Sequence, residues 1–472
     1  MTRCAYLGID LGTQGVRVVA LGGDGELIAT SMRPFANVTA PTQDPRRWLD
    51  HALYGLAEVA AACAAQGASI RSLSFSGTSG TVVPLDRKHQ PVAEALMYHD
   101  TRSREVAAAI SERTGVRMNA SWGLPKIAWF HATKPDLGAT IAGWRHPNDL
   151  LLGALTGRWD ITDEGSALKT GYDLEARAWV EPVLEAARVD RDLLPKVVPS
   201  GSVVAWGISS IPGMGKTAVV SGSTDGVCSH IASGAMTPGA WNTTLGTTMV
   251  IKGVSEAPIR DPEHRIYNHR HPDGGWIPGA ASATGAGWIT SHFSGHGLDE
   301  ITTSAATHIP TTILAWPLHT RGERFPFPAP DAHGFFPDDA GPSLAFAAGL
   351  EGVAFLERMA YTLLASLGAQ SVGPVGTTGG GSRNTLWTRI RSAVLDRPIV
   401  RVRQADAAVG AAILGAASVD FSSLAEAGRQ LIIPDGIVIP DRSLVEAYRE
   451  RYGLFVDHLV ARGDLVDGSI WR

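Results

Sequence analysis

The sequence is poor in cysteine, and its few cysteines are not arranged in pairs. Cys4, Cys63 and Cys228 are odd in number and far apart, and no CxxC motif is present. This pattern excludes a disulfide framework and a cysteine-based metal site, and it is typical of free thiols in a reducing compartment. We therefore expect a cytoplasmic protein.

Long apolar runs and a surplus of positive charge are also missing. The longest uncharged run of small apolar residues, Ala407 to Val419, covers 13 residues, whereas a helix that spans a bilayer needs about 20. Lysine and arginine number 41 against 46 aspartate and glutamate, which gives a net charge of −5. We expect neither a membrane nor a nucleic acid as a partner, and we expect any phosphate to be bound in a local site.

Glycine, in contrast, is abundant. The chain of 472 residues contains 53 glycines, and such residues are used in turns and where the backbone approaches a ligand closely. The length predicts two to four domains with cores that need no disulfide support.

Tight glycine turns separate three strand-like runs at the start of the chain. They predict a β-meander of Tyr6–Leu11, Val16–Leu21 and Glu26–Ser31. A helix from about Pro45 to Gln66 follows, with Asp44 as its N-cap. Strands and helices continue to alternate, so the predicted fold class is α/β.

A second strand, turn and strand unit repeats part of the first. Leu11-Gly12-Thr13 and Leu245-Gly246-Thr247 lie 234 positions apart, close to half the chain length. A three-residue repeat is as consistent with chance as with duplication, but its place at the half-length favours one α/β domain used twice. In that arrangement two phosphate-binding turns face each other across a cleft.

Asp10 ends an apolar strand just before Gly12 and Thr13. A carboxylate at this place, beside glycine backbone N–H groups and a threonine hydroxyl, is suited to Mg²⁺ and phosphate oxygens. Arg17 would add a fixed positive charge. The alternative is a local turn made by the aspartate, with a surface arginine.

Two further aspartates precede predicted helices. Asp225 follows the strand Ala218 to Val220, at the end of a strand where α/β proteins bind ligands. It is suited to accept the proton of a hydroxyl group, and the alternative is a helix N-cap. For Asp100, in Tyr98-His99-Asp100-Thr101-Arg102, ligand binding and helix capping are equally favoured.

Eight segments, in order and over nearly the whole chain, resemble motifs of the FGGY family of carbohydrate kinases. The segments are GIDLGTQGVR (8–17), SGTSGTVVPLD (76–86), MYHDTR (97–102), KIAWF (126–130), SGSTDG (221–226), TTLGTT (243–248), RGERFP (321–326) and TGGGSRN (378–384). The resemblance implies an α/β fold of two ribonuclease-H-like (actin-like ATPase) domains with a cleft between them. We place the N-terminal sugar-binding domain at 1–233, the C-terminal nucleotide-binding domain at 234–420 and a helical tail at 421–472.

The resemblance also implies ATP-dependent phosphorylation of a sugar hydroxyl, with ATP and Mg²⁺ as cofactors. Asp225 would be the catalytic base, and Asp10 would hold the metal and adjoin the substrate. Ser79 and Asp100 would bind the sugar. The residues expected at the nucleotide and its phosphates are Gly12, Thr13, Gln14, Arg17, Gly246, Thr247, Gly380, Gly381 and Asn384. A small-molecule sugar and ATP would be the partners, and a homodimer stays open.

Departures from the family pattern bear on the substrate. Ser79-Gly80 stands where bacterial xylulokinases typically have Met-His, and Gly226 replaces an Asn. The runs 77–86, 166–173 and 321–331 resemble instead the cyanobacterial and plant xylulose-kinase-like subgroup. The resemblance implies D-ribulose as substrate, ahead of D-xylulose or another pentulose or polyol. Two other functions remain as alternatives, an actin-like ATPase switch without a sugar and a catalytically weak sugar sensor.

Overall fold

The structure is a computed structural model, and it describes residues 3–36 and 38–471 apart from the side chain of residue 338. The chain forms two compact units that are interleaved along the sequence. Unit 1 consists of Met1–Ala232, Arg270–Asp273 and Asp406–Ile433, and unit 2 consists of Ser233–His269, Gly274–Ala405 and Pro434–Arg472. The domains predicted at 1–233, 234–420 and 421–472 are contiguous, so their bounds differ from those of the units.

Strands and helices alternate as the sequence predicts. The strands are β1 (Arg3–Gly12), β2 (Gly15–Gly22), β3 (Leu27–Pro34), β4 (Thr42–Gln43), β5 (Ala68–Gly77), β6 (Val83–Leu85), β7 (Ala95–Leu96), β8 (Gly143–Arg145), β9 (Ile161–Asp163), β10 (Tyr172–Asp173), β11 (Ala178–Trp179), β12 (Lys196–Val198), β13 (Val203–Trp206), β14 (Ala218–Val220), β15 (Ser223–Thr224), β16 (Trp241–Leu245), β17 (Met249–Gly253), β18 (Tyr267–Arg270), β19 (Trp276–Ala281), β20 (Val375–Thr378), β21 (Ile399–Val402) and β22 (Pro434–Val438). The helices are α1 (Pro45–Ala65), α2 (Arg104–Thr114), α3 (Gly123–Thr133), α4 (Pro135–Gly138), α5 (Pro147–Thr156), α6 (Glu164–Ala167), α7 (Glu181–Ala187), α8 (Asp225–Ala232), α9 (Gly287–Phe293), α10 (Leu298–Ala305), α11 (Pro342–Ser366), α12 (Thr385–Leu395), α13 (Ala407–Asp420), α14 (Leu424–Leu431) and α15 (Arg442–Ala461).

Unit 1 is built on a mixed seven-stranded sheet. Its main path runs β13-β14-β5-β1-β2-β3, and β15 also pairs with β5. The first three strands form the predicted antiparallel meander, while β1 and β14 both run parallel to β5. The carboxyl ends of β1, β5 and β15 therefore lie at one edge of the sheet, which is where α/β proteins bind ligands.

Unit 2 repeats this topology. Its sheet has the order β18-β19-β17-β16-β20-β21-β22. Strands β16 and β17 form an antiparallel hairpin, and β16, β20 and β21 run parallel to one another. The path β19-β17-β16-β20-β21 thus matches β3-β2-β1-β5-β14 of unit 1, and the two Leu-Gly-Thr turns occupy corresponding hairpins. The predicted duplication of one α/β fold is confirmed.

Helix α1 begins and packs as its sequence predicts. The side chain of Asp44 accepts a hydrogen bond from the backbone N–H of Arg46, and Pro45 is the first helical residue. Trp48, Leu56 and other apolar residues of one face are buried in the core of unit 1. An N-cap, a proline at the first turn and one apolar stripe are enough to fix both the start and the orientation of this helix.

Helix α13 approaches the sheet of unit 1 at backbone distance. A Cβ atom at Gly8 of β1 would lie 1.9 Å from the carbonyl oxygen of Ala408, and one at Gly410 would lie 1.8 Å from that of Cys228. Only glycine leaves room for this contact. The small residues of the run 407–419 are therefore a packing surface that holds β1 and α8 in place.

The described residues contain several long or apolar helices. No single one of them is long and apolar enough to cross a membrane, and α13 with α14 passes only when the two are joined across a bend of 119°. Cys4, Cys63 and Cys228 are all free thiols, as expected.

Candidate active site

Three neighbouring parallel strands of unit 1 bring the predicted acidic residues to one edge of the sheet. Asp10 pairs with Ser76 in the register of β1 and β5, and Ser76 pairs with Ser223 in the register of β5 and β15. Asp225 follows β15 directly and is the first residue of α8. Its Oδ1 atom accepts a hydrogen bond of 2.7 Å from the backbone N–H of Gly226. Asp10 and Asp225 therefore lie at the same edge of the sheet, and their membership of one active site stays a prediction.

Asp10 lies in a strongly perturbed environment. Burial raises the pKa of its carboxyl group to about 7, and the negative charges of Asp225 and Asp406 act in the same direction. The hydroxyl of Ser76 donates a 2.6 Å hydrogen bond to Oδ1 and, like the charge of Arg17, lowers the pKa. A buried carboxylate near two others is costly to ionise without a counter-charge. The alternative of a local turn made by Asp10 is wrong, because this residue lies within β1.

Arg17 lies directly opposite Asp10 across the β1–β2 hairpin. Its guanidinium forms an ion pair of 3.1 Å with Asp406, so it is no isolated surface arginine. Asp406 also caps α13 by accepting from the backbone N–H of Val409. Sequence reasoning missed Asp406. Its position before a small-residue helix is an N-cap signal, but nothing local indicates a partner 389 residues away.

The tip of the β1–β2 hairpin is braced through its carbonyl groups. The carbonyl oxygen of Thr13 accepts from the side chain of Gln43, and that of Gln14 accepts from the backbone N–H of Phe35. A Cβ atom added to Gly12 would meet nothing closer than 3.5 Å. The two hydrogen bonds hold the turn without covering Gly12. The backbone there is therefore accessible to a ligand, as the phosphate-binding prediction requires.

A second loop of unit 1, at Ser79 and Gly80, is held by a buried lysine. The ammonium group of Lys126 donates to the carbonyl oxygens of Gly80, Tyr98, Ala120 and Trp122. Burial lowers the pKa of Lys126 to about 7, against the opposing charge of Asp100. The KIAWF motif therefore supplies the anchor of this loop, a role that its sequence does not indicate.

Ser79 carries an unsatisfied polar atom. Its Oγ atom is buried and has no hydrogen-bond partner among the described residues. Burying a hydroxyl without a partner costs free energy, and a polar ligand would remove that cost. The next residue, Gly80, has φ +86°, and a Cβ there would lie 2.1 Å from the carbonyl oxygen of Ser121, so the loop requires glycine.

Asp100 makes different contacts from those predicted. Its carboxylate accepts from the backbone N–H, Nε and Nη2 of Arg102, and the N-cap of α2 is Ser103. The capping alternative is therefore wrong for Asp100. Its contact with a sugar stays a prediction, and such a contact would share the carboxylate with Arg102.

The corresponding turn of unit 2 contains Gly246 and Thr247. The backbone N–H groups of Ala286 and Gly287 donate to the carbonyl oxygens of Gly246 and Thr247, at 2.7 and 3.1 Å. Upstream of α9, Ser282, Ala283 and Thr284 donate hydrogen bonds to the buried carboxylate of Glu323. The RGERFP motif thus supports the segment that braces the turn.

The glycines at 379–381 divide into two kinds. A Cβ at Gly379 would lie 2.5 Å from the carbonyl oxygen of Leu245, and one at Gly381 would lie 2.8 Å from the side chains of Leu245 and Trp387. Gly380 has nothing within 4 Å. Packing explains Gly379 and Gly381, whereas Gly380 leaves space in which a ligand could approach the backbone.

Asn384 has two structural contacts. Its side-chain oxygen caps α12 by accepting from the backbone N–H of Trp387, and its amide donates to Thr302. Its predicted position beside a nucleotide stays a prediction.

The described ranges, 3–36 and 38–471, contain acidic and histidine side chains in many places. No group of three or more His, Cys, Asp or Glu side chains there is arranged to hold a metal ion. Mg²⁺ does not need such a group, since it is usually bound by one or two carboxylates together with phosphate oxygens and water. The partly buried Asp10, with two further carboxylates raising its pKa, fits that mode.

Comparison with known proteins gives matches over both halves of the chain. Residues 5–232 match the N-terminal domain of the FGGY family of carbohydrate kinases, and residues 241–419 match the C-terminal domain. A xylulose kinase of Bacillus subtilis is 25% identical over 476 residues, covering 95% of each chain. A gluconokinase of the same organism is 24% identical, covering 87% of this chain and 86% of its own.

A solved structure supports the same fold. The xylulose kinase of Rhodospirillum rubrum superposes with a TM-score of 0.85 at 22% identity, covering 97% of this chain and 98% of its own. The likeness therefore extends through both units and leaves no large part of either chain unmatched.

Proposed function

Because the chain belongs to the FGGY family of carbohydrate kinases, we propose that it transfers the γ-phosphoryl group of ATP to a hydroxyl group of a ketopentose. The reaction class follows from the family, whose members are phosphotransferases that act on an alcohol group. The observation that carries the residue assignment is the placement of Asp225 after β15, beside the strand ends of Ser76 and Asp10.

Asp225 is assigned as the base. A carboxylate that begins a helix at the carboxyl end of a strand is presented to a ligand bound at that edge. Phosphoryl transfer asks the protein mainly for positioning and charge stabilisation, so a carboxylate within hydrogen-bond reach of the acceptor hydroxyl is a sufficient base.

Asp10 is assigned to Mg²⁺. The ion would supply charge neutralisation at the transferred phosphoryl group. It would also offset the unfavourable ionisation of a carboxyl group whose pKa is raised to about 7. The turn residues Gly12, Thr13 and Gln14, and the guanidinium of Arg17, are assigned to the phosphates from unit 1.

Unit 2 is assigned to the nucleotide. Gly246 and Thr247 would hold phosphate through a turn braced by the segment 282–287. Gly380 and Gly381, with Asn384, would line the nucleotide. The open space next to Gly380 supports this assignment, because backbone without a neighbouring side chain allows a ligand to approach closely.

For the substrate, we place D-xylulose ahead of D-ribulose. The names of the relatives favour D-xylulose, which reverses the order that the sequence departures imply. Ser79, with its unsatisfied Oγ atom, would donate to or accept from a sugar hydroxyl. A pocket selects among pentuloses by a few such hydrogen bonds, so the substrate must be determined by assay.

A coupled assay of ADP release tests the proposal. The full chain is incubated with ATP and Mg²⁺ and with D-xylulose, D-ribulose, L-xylulose, L-ribulose, ribitol, glycerol or D-gluconate in turn. We expect sugar-dependent release with D-xylulose first and D-ribulose second. A rate of ADP release that no acceptor changes would contradict the proposal and favour an actin-like ATPase switch, whereas tight sugar binding without turnover would indicate a sensor.

A further inference from the structure

Lys169 lies beside the Ser79–Gly80 loop and has no role in the site described so far. It belongs to a single turn of 3-10 helix, Leu168–Thr170, between α6 and β10. Its Cδ atom is 3.2 Å from the position that a Cβ at Gly80 would occupy. The aliphatic part of Lys169 therefore runs over the face of Gly80, where a larger residue would carry its side chain.

The charge of Lys169 is close to the proposed base. Burial lowers the pKa of its ammonium group, and the negative charge of Asp225 opposes that shift. Lys169 in turn contributes to the lowered pKa of Lys126, which anchors the loop. The charge of Lys169 therefore acts both on the proposed base and on the lysine that anchors the loop of Ser79 and Gly80.

The backbone that carries Lys169 is fixed from both sides. The hydroxyl of Thr170 is 2.9 Å from Nε2 of His146, whose other ring nitrogen contacts Asp149 and Thr162. Asp163 caps α6 just before the turn by accepting from the backbone N–H of Ser166. A side chain on such a support presents its end group to a ligand at little entropic cost.

Two polar groups near Gly80 lack protein partners. The Oγ atom of Ser79 is buried and unpaired, and the Nζ atom of Lys169 has no hydrogen-bond acceptor in residues 3–36 and 38–471. By contrast, Lys126 donates to four carbonyl oxygens within the same region. Lys169 is only partly buried, and its Nζ atom is not among the fully buried polar atoms, so a ligand can reach it. A partly desolvated cation without a protein acceptor is suited to bind the oxygen atoms of a ligand.

We infer that Lys169 is a sugar-binding residue, which donates hydrogen bonds to oxygen atoms of the sugar next to the hydroxyl that faces Asp225. This inference rests on the proposed function. Lys169 then determines specificity through the position of the sugar oxygens within its reach, and Ser79 completes the contact from the other side of Gly80. A neutral polyhydroxylated ligand supplies such oxygens without changing the net charge of the site.

The test is the substitution Lys169→Met, which removes the charge and keeps an aliphatic stem of similar length. We expect KM for the sugar to rise 10-fold to 100-fold, the loss typical of a hydrogen bond to a charged group, while KM for ATP stays within twofold. We also expect Tm to stay equal or rise, since methionine carries no charge to desolvate. Lys169→Arg restores part of the sugar affinity.

Two other lysines provide controls. Lys126→Met removes four hydrogen bonds to carbonyl groups and should lower Tm, which is the signature of a structural lysine. Lys196 is exposed on β12, and Lys196→Met should change neither KM nor Tm. A Lys169→Met variant with an unchanged sugar KM, or with a Tm loss like that of Lys126→Met, would overturn the inference.

Calorimetric titration of sugar into the nucleotide-free protein separates this inference from the proposed function. If the wild type binds sugar but releases no ADP, the proposed function fails, and loss of binding in Lys169→Met still supports the role of Lys169. If the wild type is active and Lys169→Met binds sugar equally well, only the inference about Lys169 fails.

Discussion

The hydroxyl of Ser76 donates a 2.6 Å hydrogen bond to Oδ1 of Asp10 across two adjacent parallel strands. This bond stabilises the ionised form of Asp10 and so opposes the burial that raises its pKa to about 7. In the proposed function Asp10 binds Mg²⁺ as the ionised carboxylate, so the hydrogen bond from Ser76 extends the active pH range to lower pH.

The first prediction concerns Ser76→Ala. Loss of a hydrogen bond to the charged form raises the pKa of Asp10 further, so more of the group is protonated at neutral pH. The acidic limb of kcat/KM against pH should move about one unit upward. Ser74, two residues earlier on β5, contacts only the carbonyl oxygen of Ser221 among the described hydrogen bonds, so Ser74→Ala is the matched control. An acidic limb that stays in place in Ser76→Ala would contradict the prediction.

The second prediction concerns Asp225. Asp225→Asn keeps an oxygen that can accept from the backbone N–H of Gly226 and removes the basic carboxylate. Sugar-dependent ADP release should fall at least about 100-fold, while the ADP Kd measured by calorimetry should stay within threefold. We expect Asp225→Ala to behave in the same way. A variant that retains more than about a hundredth of the wild-type rate would show that another group accepts the proton.

The third prediction compares two glycines with positive φ. Gly80 (φ +86°) lies against the carbonyl oxygen of Ser121, whereas Gly115 (φ +72°), after α2, has nothing within 4 Å. Both alanine variants carry the strain of a left-handed residue, about 1 kcal/mol. Only Gly80→Ala must also displace the loop that carries Ser79, so it should raise the sugar KM at least 10-fold. Equal sugar KM values in the two variants would argue against a sugar contact at this loop.

The fourth prediction separates packing from ligand contact in the segment 379–381. Gly381→Ala brings a methyl group against Leu245 and Trp387, and overpacking of this kind costs about 1 to 3 kcal/mol, so Tm should fall by several degrees. Gly380→Ala meets no protein atom within 4 Å and should leave Tm within about 1 °C while raising KM for ATP. Thermal melts and ATP titrations of the two variants check this contrast. A Gly380→Ala variant with an unchanged ATP KM would place the nucleotide elsewhere.

The acidic residues of the candidate site could be predicted because their signals are local. Asp10 follows an apolar run and precedes a glycine turn, and this pattern predicts a carboxylate near the end of a strand. The predicted strand, loop and helix around Asp225 likewise place that residue at the edge of the sheet. The hairpin register also follows from Gly12 and Gly15, so the pairing of Asp10 with Arg17 could have been derived from the turn alone.

The remaining contacts depend on residues far apart in the chain. Asp406 reaches Arg17 because α13 packs on β1. Lys126 acts on four carbonyl groups because its helix, α3, begins next to the loop of Gly80. Neither a hydrophobic period nor a turn signal specifies such partners. For Asp100 the partner is local but was not predicted. The sequence favoured sugar binding and helix capping equally, whereas the carboxylate accepts hydrogen bonds from Arg102, two residues away.

The backbone contact of α13 with Gly8 has a consequence for synthesis on the ribosome. Unit 1 takes this helix from residues 406–420, after most of unit 2 in chain order. At about 5 to 20 residues per second, translation from residue 232 to residue 406 takes roughly 10 to 35 seconds. Throughout that interval the surface of β1 and α8 that α13 later covers is exposed in the nascent chain. We therefore expect chaperone binding to unit 1 to be greatest during this stage of synthesis.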